Sequence, residues 1–130
     1  MSTIILPLPR PPKGLSANDR THWSVRARES VKLRMQVTRL VEHMEPMQRC
    51  RVEIVWVVRD QRRRDADNPD PMCKAIYDAI GSDRGVGARL VPDDAPEYME
   101  KPRLRIEYRP GCDPHFEVTI TDLSPNGETE

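Results

Sequence analysis

The chain has 130 residues, of which 37% are hydrophobic and 32% charged, with 21 basic and 21 acidic side chains. This length predicts one domain built on a single core. The three cysteines stand far apart without CxxC spacing, which argues against a disulfide framework or a zinc site and favours a reducing cytoplasm. No run approaches the roughly 20 apolar residues of a membrane span, and the N-terminus lacks the basic start of a signal peptide. We therefore expect a cytoplasmic protein with no membrane partner.

The zero net charge conceals an asymmetry along the chain. Residues 1–64 carry 14 basic and 6 acidic side chains, whereas residues 65–130 carry 7 basic and 15 acidic ones. A basic half joined to an acidic half suits a polyanionic partner together with a cation site. The alternative is that the two halves interleave in space and cancel.

A short strand and a polar loop open the chain. Residues 3–8 predict an edge strand, because Pro7 cannot donate to a central ladder. The loop of residues 16–22 is rich in turn-forming residues. Its donor side chains are placed either to face phosphate or to cap the helix that follows. These donors are Asn18, Arg20 and His22.

The next segment predicts an amphipathic helix, with Ser24 as its N-cap and Pro46 beyond its end. Its apolar stripe is formed by Leu33, Val37, Leu40, Val41 and Met44. This spacing matches one face of a helix, so the stripe is assigned to the core. The basic residues outside the stripe either line a nucleic-acid groove or form the solvated face.

Residues 51–58 are β-branched on both faces and predict a central strand. A second helix is expected from Met72 to about Gly81, followed by a mobile glycine-rich connector. Two alternating strands, in residues 103–109 and 116–121, are expected to pair as an antiparallel hairpin. The fold class is thus α/β (α+β), a mixed and largely antiparallel sheet packed by two helices. Residues 1–122 form the domain, and 123–130 a disordered tail.

The central strand leads into the sequence Arg-Arg-Arg-Asp-Ala-Asp-Asn at positions 62–68. On an extended backbone, Asp65 and Asp67 point to the same side. Two carboxylates about 4 Å apart repel by roughly 1 kcal/mol in water and about 4 kcal/mol at an effective dielectric of 20. A cation must therefore lie between them. The neighbouring arginines could supply it, but a hard divalent metal suits oxygen ligands better.

Known metal motifs do not account for this pair. Counting a calcium loop from Asp65 puts Pro69 where Asp or Asn is required, Asp70 where Gly is required and Ile76 where Glu is required. The three histidines lack the HxxxH spacing of a zinc hydrolase. The remaining chemistry is metal-assisted phosphoryl transfer, for which a second acidic pair and a lysine are also available. The alternative is that both acidic segments are Asx turns that cap neighbouring elements.

Three segments of the chain resemble the RusA-type Holliday junction resolvase family. They are RRRDADN, KAIYDAI and VPDDAP, and the likeness extends over most of residues 4–108, including an LPxPP segment near the N-terminus. The resemblance implies a homodimeric endonuclease that uses Mg²⁺, with Mn²⁺ as a substitute, and nicks branched DNA symmetrically. Its partners would be four-way junctions or forks. Its setting would be a bacterial cell, with the protein encoded by the host or by a phage or prophage.

The resemblance also implies roles for individual residues. The metal ligands would be Asp65, Asp67 and Asp94, with Asp93 as the alternative within the Asp-Asp pair. Lys74 would be the essential lysine, and Asp70 is a further candidate ligand. The expected DNA contacts are Arg62, Arg63, Arg64, Asn18, Arg20 and His22. Two other functions remain open: the same chemistry on flaps or Y-junctions, and a DNA-binding module without catalysis.

Overall fold

The computed structural model describes residues 1–17, 20 and 22–125 and confirms the predicted fold class, a mixed sheet with two helices. The elements are β1 (Ser2–Leu6), α1 (Trp23–Val41), β2 (Cys50–Val58), α2 (Asp70–Gly81), β3 (Met99–Glu100), β4 (Arg105–Tyr108) and β5 (His115–Asp122). Asn18, one of the expected DNA contacts, lies outside the described residues. No helix in the described part of the chain is long and apolar enough to cross a membrane.

The sheet is organised around β2, as its apolar character on both faces predicts. Strand β5 pairs antiparallel with one side of β2, and β1 pairs antiparallel with β5 at the edge of the sheet. The other side of β2 pairs in parallel with the short strands β3 and β4. The predicted hairpin between the last two strands is therefore wrong. Each of them pairs with the more apolar β2 instead, so Trp56 has Ile106 opposite it on one side and Phe116 on the other.

The helices cover the sheet much as their apolar stripes predict. In α2 all five predicted core residues are buried, namely Met72, Ala75, Ile76, Ala79 and Ile80. In α1 the buried residues are Leu33, Val37 and Val41, whereas Leu40 remains 37% exposed. The N-cap is His22 rather than Ser24, because the imidazole Nδ1 accepts a hydrogen bond from the Ser24 backbone at 3.1 Å.

The connection after α2 is packed against that helix, although the sequence predicts a mobile segment. Its backbone N–H groups at Ala88 and Leu90 donate to the last carbonyls of α2 at 2.7 and 2.8 Å. Arg34 of α1 donates from Nε to the Val86 carbonyl at 2.9 Å. A Cβ at Gly87 would lie 3.0 Å from the Asp78 carbonyl oxygen, so a side chain there would push the two segments slightly apart. These contacts satisfy helix-end carbonyls that would otherwise lack partners.

The folded chain continues into the segment assigned to the tail. The Leu123 N–H donates to the Arg49 carbonyl at 2.8 Å, and the Ser124 hydroxyl accepts from the Gln48 N–H at 2.8 Å. Ser124 is 8% exposed. Residues 126–130 lie outside the described residues.

Candidate functional site

The acidic stretch after β2 is a turn rather than the extended segment that the sequence predicts. The Asp65 carboxylate accepts from the Asp67 N–H at 2.9 Å, and the Asp65 carbonyl accepts from the Asn68 N–H at 3.1 Å. The chain turns here because α2 begins at Asp70, directly after Pro69. Asp65 is thus part of an Asx turn, as the capping alternative predicts, while its side chain remains exposed.

Asp67 is held by a cation from a distant segment. Its Oδ1 atom lies 3.0 Å from a guanidinium nitrogen of Arg103, which follows β3 in the chain. Both side chains are well exposed, at 62% for Asp67 and 71% for Arg103. The electrostatic gain from such a pair is small, because water screens it. The contact therefore gives Asp67 a position beside residues 101–104 rather than a large share of the fold's stability.

Lys74 lies on α2, one turn inside the helix, and bridges two carboxylates. Its Nζ donates to Asp78 at 3.0 Å and to Asp94 at 3.1 Å. The pair with Asp78 is the i, i+4 pair that the sequence indicates. Hydrogen bonding to Asp78, together with that to Asp94, raises the pKa of Lys74. The ammonium is therefore charged at neutral pH and directed toward the second acidic segment.

Asp94 receives two ammonium groups. Lys101 Nζ donates to the same Oδ2 atom at 3.0 Å and also lies 5.1 Å from the centroid of the Tyr77 ring. Burial alone would raise the pKa of Asp94, but the hydrogen bonds from Lys101 and Lys74 outweigh it and the net shift is downward. Asp94 is thus an ionised carboxylate, with its side chain 22% exposed, between α2 and the segment after β3.

The segment 101–103 brings the two acidic regions to one surface. Lys101 holds Asp94 and Arg103 holds Asp67, and these two cations are only two residues apart in the chain. On an extended chain that separation is about 6.6 Å between Cα atoms. The carboxylates of two distant segments therefore lie along one short stretch of backbone. The two acidic segments thus share one neighbouring stretch of backbone, through Lys101 and Arg103.

In the described residues, 1–17, 20 and 22–125, no three His, Cys, Asp or Glu side chains gather in a group able to hold a metal ion. Basic side chains lie against two of the predicted ligands instead: Arg103 on Asp67, and Lys74 with Lys101 on Asp94. A divalent cation at this surface would have to exchange with these ion pairs. The donor chemistry itself, carboxylate oxygen, is the kind that Mg²⁺ prefers.

The two residues of the Asp93-Asp94 pair differ in what their side chains contact. The Asp93 Oδ1 atom accepts from the Ala95 N–H at 2.6 Å, which is an Asx turn. Asp94 faces the lysines. The capping alternative thus describes Asp65 and Asp93, whereas Asp67 and Asp94 contact side chains from elsewhere in the fold.

The three arginines before the acidic turn, at positions 62–64, also differ in what their side chains contact. Arg64 is only 19% exposed, donates to Asp60 at 2.9 Å and lies 5.6 Å above the Trp56 ring. It therefore covers the indole of the central strand. Arg62 is 80% exposed, with Asp60 4.0 Å away, and Arg63 is exposed as well. These two are open to a partner from solvent.

The N-terminal loop is tied to the acidic turn. The Asn68 carbonyl accepts from the Ala17 N–H at 2.7 Å, and its side-chain oxygen accepts from the Ser16 hydroxyl at 2.6 Å. Arg20 is exposed. His22 is used as the cap of α1, which agrees with the capping alternative for this loop. The loop is thus beside the acidic turn, as its predicted role requires, although His22 has a structural function there.

The sequence did not identify Lys101 and Arg103 as members of the site. The sequence predicts a strand that begins at residue 103, and the structure begins β4 two residues later, at Arg105. The Lys-x-Arg spacing, which puts two cations on one side of an extended segment, was the available signal. No family model matches this sequence, and a search among curated proteins returns no significant match.

Proposed function

We propose that this protein is a Mg²⁺-dependent, structure-selective DNA endonuclease that resolves Holliday junctions by paired symmetric nicks, in recombination and repair. The observation that supports this most directly is that Arg103 and Lys101, two residues apart, contact Asp67 and Asp94 from segments far apart in the chain, with Lys74 also on Asp94. The RusA-type resemblance of the sequence points to the same set. We further propose a bacterial cytoplasmic setting, with the gene in the host or in a phage or prophage.

The proposed chemistry follows from the charges at this surface. Attack on a phosphodiester builds negative charge on the attacking, nonbridging and leaving oxygens. Bound Mg²⁺ would neutralise part of that charge and supply a hydroxide nucleophile. Asp65, Asp67 and Asp94 would provide its oxygen ligands. The Lys74 ammonium would then turn from the carboxylates to the phosphate oxygens, which it stabilises as a point charge.

A homodimer suits the proposed reaction. Resolving a four-way junction requires two nicks related by two-fold symmetry, and a C₂ dimer presents two identical sites in that relation. Exposed cations near each acidic turn, such as Arg62 and Arg63, would position the branched DNA through its phosphates.

The test is cleavage of labelled four-way, Y-shaped and linear DNA in Mg²⁺ or in EDTA. We expect Mg²⁺-dependent nicks in the four-way junction, which Asp67→Asn abolishes while junction binding is retained. Asp83→Asn, which removes the same charge from an exposed position in the connection after α2, is the matched control and should nick normally. Equal loss of nicking and binding in Asp67→Asn would assign this residue to the fold instead.

A DNA-binding module without catalysis is the second candidate function. It is favoured by the contacts of the carboxylates, since Asp65 and Asp93 cap turns and Asp67 and Asp94 are paired with cations. The same experiment separates the two functions, because a binder retains the junction but leaves it intact in Mg²⁺. Preferential nicking of the Y-shaped substrate would instead redirect the proposed chemistry to forks and flaps.

A further inference from the structure

A groove of about 960 Å³ runs between the proline-rich segment after β1 and the end of β2. Its basic lining residues come from two short stretches of chain, residues 10–13 and 59–64. They are Arg10, Lys13, Arg59, Arg62 and Arg64. Asp60 is the acidic residue among the described lining residues, and Arg64 pairs with it. The groove is therefore strongly positive, and Arg64 is largely used in neutralising its one carboxylate.

The remaining cations of the groove are open to a partner. Arg10 and Lys13 are exposed and make no ion pair with any described residue. Arg59 is 62% exposed, and its closest carboxylate, that of Asp113, is 3.9 Å away and fully exposed. Exposed pairs of this kind contribute little, so an incoming anion displaces them at small cost.

The walls of the groove are rigid. The segment that carries Arg10 and Lys13 contains Pro9, Pro11 and Pro12, whose fixed φ angles limit its motion. The Pro9 carbonyl accepts a hydrogen bond from the Trp56 indole at 3.1 Å, which fastens this segment to the central strand. The cations are thus presented on a fixed frame rather than on a free loop.

The groove ends at the acidic turn. Ser16 and Asn68 line it, and their side chains are hydrogen bonded to each other at 2.6 Å. Asn68 directly follows Asp67 in the chain. An extended anion lying in the groove would therefore pass next to the proposed cleavage site.

We propose that this groove binds the sugar–phosphate backbone of one DNA strand next to the scissile phosphodiester, with Arg10 and Lys13 as phosphate contacts. This inference rests on the proposed function for the identity of the anion. Arginine forks match phosphate oxygens in pairs, and a row of cations on a fixed frame suits a regularly charged chain. The aromatic side chain among the described lining residues, Trp56, is 5% exposed and covered by Arg64. Bases therefore have no exposed ring there to stack on, and the groove reads the backbone without sequence preference.

The test is fluorescence anisotropy of labelled single-stranded, duplex and four-way DNA over a range of salt concentrations, in EDTA so that no strand is cut. The double variant Arg10→Ala, Lys13→Ala should lower the slope of log K against log salt by about 1.4 for a single strand or about 1.8 for duplex DNA, for two lost phosphate contacts. A decrease of about 1.4 with the single-stranded probe would mean that the groove binds a single strand. A decrease of about 1.8 with the duplex probe would mean that it binds a strand within a duplex.

Two further variants make the measurement specific. The double variant Lys32→Ala, Arg39→Ala removes the same charge from exposed positions of α1 outside the groove and should keep the wild-type slope. The double variant Arg10→Lys, Lys13→Arg keeps the charges and should restore most of the affinity. A wild-type slope in the groove variant, or an equal loss in the α1 variant, overturns the proposal. If DNA binding depends on the groove but no nicking occurs in Mg²⁺, the endonuclease proposal is refuted, while the proposal that the groove binds DNA is supported.

Discussion

The two ammonium groups on Asp94 allow its proposed role as a metal ligand to be separated from its role as an ion-pair partner. Lys101→Met removes one of the two ammonium groups that donate to Asp94, the one at 3.0 Å, whereas Asp94→Asn removes the negative charge that both Lys101 and Lys74 contact. Methionine keeps an unbranched apolar stem beside Tyr77, which Lys101 now covers. An exposed pair of this kind contributes about 0.2–1 kcal/mol to the free energy of unfolding. The upper end applies here, because Asp94 is only 22% exposed.

The two variants should therefore differ modestly in stability but strongly in reaction. Lys101→Met should lose about 1 kcal/mol of unfolding free energy, a fall in Tm of about 3–5 °C for a chain of this size, and Asp94→Asn up to about twice that, because it breaks both pairs. In Lys101→Met, one competitor for the Asp94 carboxylate is gone. Because Mg²⁺ no longer has to displace Lys101, its binding free energy should become about 1 kcal/mol more favourable. Nicking should therefore reach half of its maximal rate at an about fivefold lower Mg²⁺ concentration. Asp94→Asn should lose nicking by more than about 100-fold, since residues that only hydrogen-bond to metal ligands already contribute about 10–100-fold.

The assay is a Mg²⁺ titration of nicking on a four-way junction, with thermal unfolding of each variant measured alongside. An equal loss of nicking in both variants would mean that the ion pair, and not the Asp94 carboxylate, is what matters. An unchanged Mg²⁺ requirement in Lys101→Met would refute the competition between ammonium and metal, even if Asp94→Asn were inactive.

Three other outcomes are expected. Lys74→Ala should slow nicking at saturating DNA with little change in affinity, and unchanged single-turnover rates would remove Lys74 from the site. Hydrogen bonds from Arg109 lower the pKa of Glu117 from 4.5 to about 2, so this carboxylate stabilises the fold above about pH 4.5 and loses that effect as the pH falls through about 2. Acid titrations of unfolding should show this loss in the wild type and a flatter profile in Glu117→Gln. Burial raises the pKa of Cys73 to about 12, whereas Cys112 is exposed. A thiol reagent should therefore modify Cys112 rapidly in the native protein, and rapid loss of the Cys73 thiol would contradict the buried position.

Helices and strands could be predicted where the local sequence pattern alone determines them. In α2 the apolar residues form a stripe because one face is buried, and in β2 they occupy both faces because both are buried. Strand pairing was not predictable in the same way. The alternating segments 103–109 and 116–121, close together in the chain, suggested a hairpin, but each of them pairs with the more apolar β2, which lies between β4 and β5. Partners such as Arg103 for Asp67 depend on that pairing, so the sequence could not supply them.

The charge asymmetry of the chain is only partly cancelled in the structure. Glu100, from the acidic half, holds Arg49 and Arg51 of the basic half, at 2.7 and 3.0 Å. Such pairs are what the interleaving alternative predicts. The groove, in contrast, takes all its described cations from residues 10–64, and the acidic half gives it Asn68 and Pro114, which are uncharged. Apart from the pairs of Arg64 with Asp60 and of Arg59 with the exposed Asp113, its positive charge therefore remains unneutralised beside the acidic turn. If the two halves simply cancelled, the positive and negative side chains would be mixed over one surface. The proposed function instead needs a positive surface to bind an anionic strand and a negative surface beside it to bind a cation.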